Sequence, residues 1–217
     1  KTILFPIQNS QKFNGKITLD YNDTFGFDNT FFFSINTREK INVLSIGDSS
    51  GFLSKIYAKN EFNFNTSSVK NIDYNSFQKQ QLIILNELNT FSPTLTEFLK
   101  KHIASGGSTI IIPSTIIDIN SYNRFLDQLN MGRITNKHND SLQITKVHFT
   151  HPFFKNVFSK SVENFQYPFA KTSYRMVAKA TDALLSFDNQ QSFISQTISG
   201  NGKIYWVSAS LNTKNSN

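Results

Sequence analysis

The chain has 217 residues, of which 38% are hydrophobic and 14% aromatic, and its formal net charge is +7 at pH 7. This length suits one generous domain, or one domain with a small appendage, and the apolar fraction excludes a disordered chain. The absence of cysteine excludes disulfides, thiolate nucleophiles and cysteine-based metal sites. Lysines are spread singly, except at Lys100 and Lys101, so the charge indicates a solvated surface rather than nucleic-acid binding. No apolar run is long enough for a membrane helix, which predicts a soluble segment.

Residues 1–38 predict a β-rich extension. Strands are expected at 2–5, 15–21 and 30–35, because apolar and polar residues alternate there and polar turn residues separate the runs. Two alternatives stay open for this extension: it packs on the domain that follows, or it is the end of a preceding β-sandwich.

Residues 39–211 predict an α/β domain with a mostly parallel sheet flanked by helices, because short apolar runs alternate with amphipathic segments. Ser92 caps the second helix and Pro93 occupies its first turn. A mixed or antiparallel part follows, and then a polar tail at 212–217. The predicted strands of the domain are 41–46, 62–64, 81–86, 108–112, 142–147, 165–169, 174–178, 183–187, 192–198 and 203–208, and the helices are 51–59, 93–104 and 118–129.

Candidate site residues follow the first, third and fourth of these strands, because a parallel sheet binds ligands at the carboxyl ends of its strands. Asp48 and Ser49 lie in a glycine-flanked turn, which either caps a helix or binds an anion through backbone N–H groups. Asn86 is expected to fix a backbone group. Glu87 is either a general base or ligand-binding group, or a carboxylate that pairs across the sheet edge.

Pro113 and Ser114 stand where an acyl-transfer enzyme of this fold class would have its nucleophile. The turn lacks the glycines of a nucleophile elbow and Pro113 removes a backbone donor, so a plain turn is favoured over a Ser114 nucleophile. On a strand, His148 and His151 would lie on opposite faces, which argues against a shared metal, and a turn that opens at His151 and Pro152 is favoured instead. The sequence therefore predicts no catalytic residue, no metal ligand and no cofactor.

Several short segments, taken in order, resemble one known arrangement. They are FDNTFFFS at 27–34, INVLSI at 41–46, LIILNEL at 82–88, GGSTIIIP at 106–113, HPFF at 151–154 and GNGKIY at 200–205. Together these segments resemble the extracytoplasmic region of bacterial BatA-type, aerotolerance-associated membrane proteins. The resemblance implies a class I glutamine amidotransferase-like, flavodoxin-like domain. It also implies an N-terminal membrane anchor, a distal membrane segment and a periplasmic location.

Amidotransferase relatives carry a cysteine nucleophile in a glycine-flanked elbow after the strand that matches 108–112, with a downstream histidine and glutamate. This chain has no cysteine and no His-x-Glu sequence, so the resemblance does not carry catalysis over. We therefore expect a non-enzymatic extracytoplasmic binding or assembly domain of a membrane-anchored envelope protein. Its expected partner is another envelope protein, contacted through exposed rings at 31–33 and 153–154.

Two other functions stay open at this point. The first is a hydrolase or lyase that uses Asp48, Glu87 or Ser114 in the crevice at the strand ends. The second is a carbohydrate-binding domain with aromatic rings along a groove, for which the candidates are Tyr122, Tyr167 and Trp206.

Overall fold

The structure is a computed structural model that describes residues 12–21, 24, 26–27, 29–36, 39–48, 51–155, 157 and 167–216. The chain divides into two compact units, Lys1–Lys40 and Ile41–Asn217. The strand predicted at 2–5 lies outside the described residues, as do residues 165 and 166 of the strand predicted at 165–169.

The described part of the first unit forms a β-hairpin. Strand β1 (Lys12–Thr18) pairs antiparallel with β2 (Thr30–Asn36). The ring of Phe33 lies over Gly15, where a Cβ atom would come within 2.2 Å of the ring, so a larger residue at this position would displace the ring. Phe31 and Phe32 are largely exposed, as the sequence predicts for this run.

The second unit alternates strands and helices along its described residues. Its strands are β3 (Ile41–Gly47), β4 (Phe62–Ser67), β5 (Leu82–Leu88), β6 (Ser108–Pro113), β7 (Gly132–His138), β8 (Leu142–Val147), β9 (Phe169–Ala170), β10 (Ser173–Ala178), β11 (Asp182–Phe187), β12 (Ser192–Ser199) and β13 (Gly202–Val207). Its helices are α1 (Gly51–Ile56), α2 (Pro93–Ala104) and α3 (Ile119–Gln128), with short 3-10 turns at Tyr74–Lys79 and Pro152–Phe154.

Within the described residues, nine of these strands form one sheet in the order β4-β3-β5-β6-β13-β12-β11-β8-β9. The first five run parallel to one another, and each pair from β13 onwards is antiparallel. The predicted α/β domain with a parallel sheet and an antiparallel continuation is therefore confirmed. The sequence did not predict β7, which pairs with β10 in a separate ribbon, because Ile134 is its one buried large apolar residue.

Helices α2 and α3 cover one face of the sheet, which we call the helix-covered face. The side chain of Ser92 caps α2 by accepting a hydrogen bond from the Leu95 N–H at 3.2 Å, and Asp118 caps α3 in the same way. The apolar sides of these helices pack on alternate residues of the strands. The helix residues are Leu95, Leu99, Ile103, Tyr122 and Phe125, and the strand residues include Leu44, Ile46, Ile83, Leu85, Ile111, Ile204 and Trp206.

The opposite side of the sheet, which we call the open face, carries the intervening residues of the same strands. Val43, Ile84, Ile112 and Val207 pack there in a second cluster with Leu53 of α1. Among the described helices, α1 covers this face with a single short segment, Gly51–Ile56, where the sequence predicted a helix over 51–59.

Candidate functional site

The three loops that the sequence selected meet in one cleft at the carboxyl ends of β3, β5 and β6. The cleft has a volume of about 440 Å³, and Asp48, Glu87 and Ser114 line it together with Gly47, Val69, Leu88, Asn89 and Thr90. Neighbouring parallel strands end at the same edge of a sheet, which brings these distant positions together. Ser49 lies outside the described residues.

The Glu87 carboxylate is hydrogen-bonded to the C-terminal segment. Its Oε1 accepts from the Ser210 hydroxyl at 2.5 Å, and its two oxygens accept from Asn212 Nδ2 at 3.0 and 3.1 Å. The backbone of Glu87 has a φ of 56°, a left-handed conformation that costs a non-glycine residue free energy. Glu87 therefore joins the end of β5 to a segment more than 120 positions away in sequence.

The predicted polar tail is part of the folded domain at Asn212 and Asn215. Asn215 is buried, its side-chain oxygen accepts hydrogen bonds from the backbone N–H and the hydroxyl of Thr172, and its Nδ2 donates to the carbonyl of Ser210. Asn212 accepts from the Lys214 and Asn215 N–H groups. The asparagines of this polar segment do not by themselves indicate these contacts, because each contact depends on a partner from another part of the chain or on a specific turn.

Asn86 has the backbone-fixing role that the sequence suggested. Its Nδ2 donates to the Asp48 carbonyl at 2.6 Å, and the Asp48 N–H donates to the Asn86 carbonyl at 3.0 Å. Gly47 has a φ of 121° and lies so close that a Cβ atom there would be 2.1 Å from the Asn86 carbonyl oxygen. Because the Asp48 N–H is already engaged, this turn lacks one of the donors that an anion site would need.

Ser114 lies in a turn, and its geometry differs from that of a nucleophile elbow. Its Oγ accepts a 3.4 Å contact from the Ile116 N–H, and Pro113 beside it ends β6 opposite Leu88. The non-glycine residue with a positive φ at this edge is Glu87, so the strained backbone lies at the irregular end of β5 and not after β6. Within the described residues, no hydrogen bond joins the side chains of Asp48, Glu87 and Ser114, although they share a cleft.

His148 and His151 lie in the turn after β8 and line a second cleft of about 750 Å³. The turn expected at His151 is confirmed, because His151 caps the 3-10 turn Pro152–Phe154. The two rings do not lie on opposite faces of a strand, because β8 ends at Val147. His148 Nε2 lies 3.0 Å from the Ser186 hydroxyl, and His151 Nε2 lies 3.8 Å from the Asp182 carboxylate. Burial lowers the pKa of His148, and Lys146 and His151 lower it further. In the part of the chain that the structure describes, no three histidine or acidic residues are grouped to hold a metal.

Two of the three rings proposed for a carbohydrate groove are in the core. Tyr122 and Trp206 are buried on the helix-covered face, with ring centroids 6.2 Å apart, and the Tyr122 hydroxyl donates to the Leu88 carbonyl at 2.6 Å. Burial raises the pKa of Tyr122 well above its ordinary value. Neither ring is exposed along a surface groove, although Trp206 also lines a separate cavity of about 250 Å³ beside Arg175 and Met176.

An apolar concave surface lies on the open face, where the sequence indicated no site. This apolar groove has a volume of about 530 Å³. Alternate residues of the strands form its floor, and α1 and Phe153 form its sides. The lining residues are Ile41, Phe52, Leu53, Ile56, Tyr57, Phe62, Gln81, Leu82, Ile84, Ser108, Ile110, Ile112, Phe153, Ile194, Tyr205, Val207 and Leu211. The sequence indicates the apolar strands of the floor. It does not indicate how many helices cover each face of the sheet, and that number decides whether a groove remains.

Comparison with known proteins places the chain by fold alone. No protein-family model and no curated protein matches it. The chain is similar to the cytoplasmic protein STM1381 from Salmonella typhimurium LT2, with a TM-score of 0.60 and 11% identity over 93% of this chain and 86% of that one. Cytoplasmic protein STM3548 from Salmonella typhimurium is similar with a TM-score of 0.60 and 13% identity over 94% of this chain and 86% of that one. A β-galactosidase from Bacillus circulans sp. alkalophilus matches at a TM-score of 0.56 and 15% identity, over 78% of this chain but 28% of the enzyme.

These comparisons correct the expected location. The periplasmic placement implied by the BatA-type resemblance is wrong on this finding, because the two relatives that match nearly the whole chain are both named as cytoplasmic proteins. Among the described residues, no helix is both long and apolar enough to cross a membrane.

Proposed function

We propose that this chain is a non-catalytic protein-binding domain of glutamine amidotransferase-like fold, which binds a partner protein through the apolar groove of the open face. The observation that carries the proposal is the unequal covering of the two faces. Sheets with parallel strands are normally covered by helices on both faces, because both faces carry apolar side chains. Here α2 and α3 cover one face, whereas the described part of the chain leaves a groove on the other.

Exposed apolar side chains at the groove support a binding role. Ile56 of α1 is 61% exposed and Phe153 is 47% exposed, on opposite sides of the groove. On the floor, Ile110 and Tyr205 are half-buried, although both lie in the middle of central strands. Contiguous apolar surface of this kind marks interaction sites, because leaving it in water costs free energy that a partner would recover.

The strand-end cleft supports the non-catalytic part of the proposal. The Glu87 carboxylate accepts hydrogen bonds from Ser210 and Asn212, and the Ser114 Oγ accepts from the Ile116 N–H. No cysteine is available at the position where amidotransferase relatives carry their nucleophile. Membership of the BatA-type proteins stays part of this proposal, on the motif segments given above and without a periplasmic location.

Site-specific photocrosslinking in cells tests the proposal. A benzophenone amino acid at Ile56 or Phe153 is expected to give a discrete adduct with another protein. The same amino acid at Ile116, which is 74% exposed and outside the groove, is the matched control and is expected to give none. No adduct from either groove position, or equal adducts from all three positions, would overturn the proposed function.

A further inference from the structure

The floor of the apolar groove consists of aligned rows of side chains from β5, β6 and β13. Leu82 and Ser108 are in register in the first row, which Lys203 continues into the adjoining cleft, and Ile84, Ile110 and Tyr205 are in register in the second. Ile112 and Val207 extend the floor beyond them. Residues two apart on a strand lie about 6.6 Å apart, so the floor is about 13 Å long, which corresponds to between two and three turns of an α-helix.

The width of the groove also corresponds to one helix. Three neighbouring strands span about 10 Å, and a helix with its side chains is about 10–12 Å across. Helix α1 contributes Phe52 and Ile56 on one side, and Phe153 stands on the other, with its ring centroid 5.6 Å from that of Tyr205. On the helix-covered face, α2 packs against β6 and β13, two of the same strands. A partner helix on the open face would be its counterpart across the sheet.

An extended peptide does not suit this groove. Peptides that bind as strands pair with the free backbone groups of an edge strand. Here β6 pairs with β5 on one side and with β13 on the other, and β5 and β13 are themselves paired on both sides. The floor therefore offers side chains and no free ladder, and a helix satisfies its own backbone hydrogen bonds internally.

A lysine just beyond one end of the groove indicates one polar feature of the occupant. The Lys203 side chain is exposed in the first row, next to Ile198 of β12, and forms no ion pair with any described residue. Asp182, which lines the adjoining cleft with Lys203, lies 3.8 Å from His151 instead. An acidic group on the occupant is therefore complementary to this end of the groove.

We infer that the occupant is an amphipathic α-helix of a partner protein, two to three turns long, whose apolar side packs on the Ile84–Ile110–Tyr205 row and whose end carries an acidic residue that meets Lys203. This inference rests on the proposed function and adds the secondary structure and charge of the partner element. An amphipathic helix in an apolar groove is a common mode of peptide recognition, in which apolar side chains on one helix side supply the affinity.

A stapled helical peptide of about 11 residues, which is three turns long, tests the inference on the full chain. Leucines at helical spacing form one side of the peptide, and a glutamate at each end of that side lets it meet Lys203 in either orientation. A matched peptide carries lysine in place of both glutamates, and a scrambled peptide spreads the leucines around the helix. Fluorescence anisotropy measures the dissociation constant of each peptide.

The glutamate peptide is expected to bind more tightly than the lysine peptide by about fivefold, and Lys203→Glu is expected to reverse that order. Ile56→Glu and Ile110→Glu are expected to weaken binding at least about tenfold, because each puts a charge against apolar contacts. Ile116→Glu, outside the groove, is expected to change nothing. Because Ile110 is half-buried, thermal unfolding checks that variant, and Ile56→Glu on the exposed wall tests the groove without that risk.

The possible results separate the inference from the proposed function. Equal binding of the scrambled peptide, or an unchanged order of the two charged peptides on Lys203→Glu, would overturn the helical partner while groove crosslinking still supported a binding domain. If the chain forms a homodimer that Ile56→Glu dissociates, the occupant of the groove is a second copy of the chain. That result would overturn the inference of a helix from a partner protein. Failure of both peptide binding and groove crosslinking would remove the proposed function itself.

Discussion

Substitutions of Glu87 test whether its carboxylate stabilises the folded chain, because two opposing effects act at this one residue. Its carboxylate holds Ser210 and Asn212, whereas its left-handed backbone conformation costs free energy. Glu87→Ala removes the hydrogen bonds and leaves the backbone cost. Glu87→Gly removes both, since glycine adopts a positive φ without a Cβ clash.

The magnitudes decide the expected order of stability. Hydrogen bonds to a charged group contribute about 1.5–3 kcal/mol each when buried, and this half-buried site with two donors justifies about 2–3 kcal/mol in total. Relief of the left-handed conformation returns about 1 kcal/mol. We therefore expect Glu87→Ala to lower the free energy of unfolding by about 2–3 kcal/mol, and Glu87→Gly by about 1–2 kcal/mol.

Urea unfolding followed by tryptophan fluorescence measures these free energies directly. Trp206 is the single tryptophan of the chain and is buried, so its emission reports the loss of the core. Asn212→Ala, alone and combined with Glu87→Ala, is expected to show a coupling free energy of more than about 0.5 kcal/mol. If Glu87→Gly were as stable as the parent chain or more stable, the argument that this carboxylate anchors the C-terminal segment would be refuted.

Two further perturbations test the packing around α2. Burial lowers the pKa of His102 below 6.5, so the folded state disfavours its protonation, and its stabilising contribution is complete above pH 6.5 and declines as the pH falls below that value. Urea unfolding at pH 7 and pH 5 measures the change. Between these two pH values, the free energy of unfolding should fall more for the parent chain than for His102→Gln. Equal falls would contradict the argument that His102 causes the pH dependence. Gly202→Ala should lower the free energy of unfolding by about 1–3 kcal/mol, because the new Cβ would lie 2.3 Å from the Ile103 carbonyl oxygen. Gly51→Ala is the control, because its Cβ would meet nothing within 4 Å, and it should be neutral or stabilising by up to about 1 kcal/mol. Equal decreases in the free energy of unfolding for the two variants would show that close packing at Gly202 is not the cause.

The strands and helices of the second unit could be predicted where the local signal is strong. β5 and β6 are continuous apolar runs, and α2 has a serine cap, a first-turn proline and apolar residues at helical spacing. β7 could not be predicted in this way, because its sequence is largely polar and it becomes a strand by pairing with β10. The signal for β7 thus lies in its partner and not in its own residues.

Part of the candidate site was also predictable. The rule that parallel strands present ligands at their carboxyl ends brought Asp48, Glu87 and Ser114 to one cleft. The contacts that occupy Glu87 were not predictable, because Ser210 and Asn212 follow it by more than 120 residues in the chain. The turn at His151 was predictable from the proline that follows it, but the cleft that His148 and His151 share was not, since the end of β8 decides where the two rings lie.

The amino-acid sequence by itself determined the class of fold and the residues that end the central strands, because apolar periodicity, caps and turn residues act over a few neighbouring positions. Only the tertiary structure decided which face of the sheet the helices cover and which apolar side chains remain at a surface. The physical reason is that α2 and α3 lie on the same face, so the apolar residues of β5, β6 and β13 that point the other way form the floor of a groove.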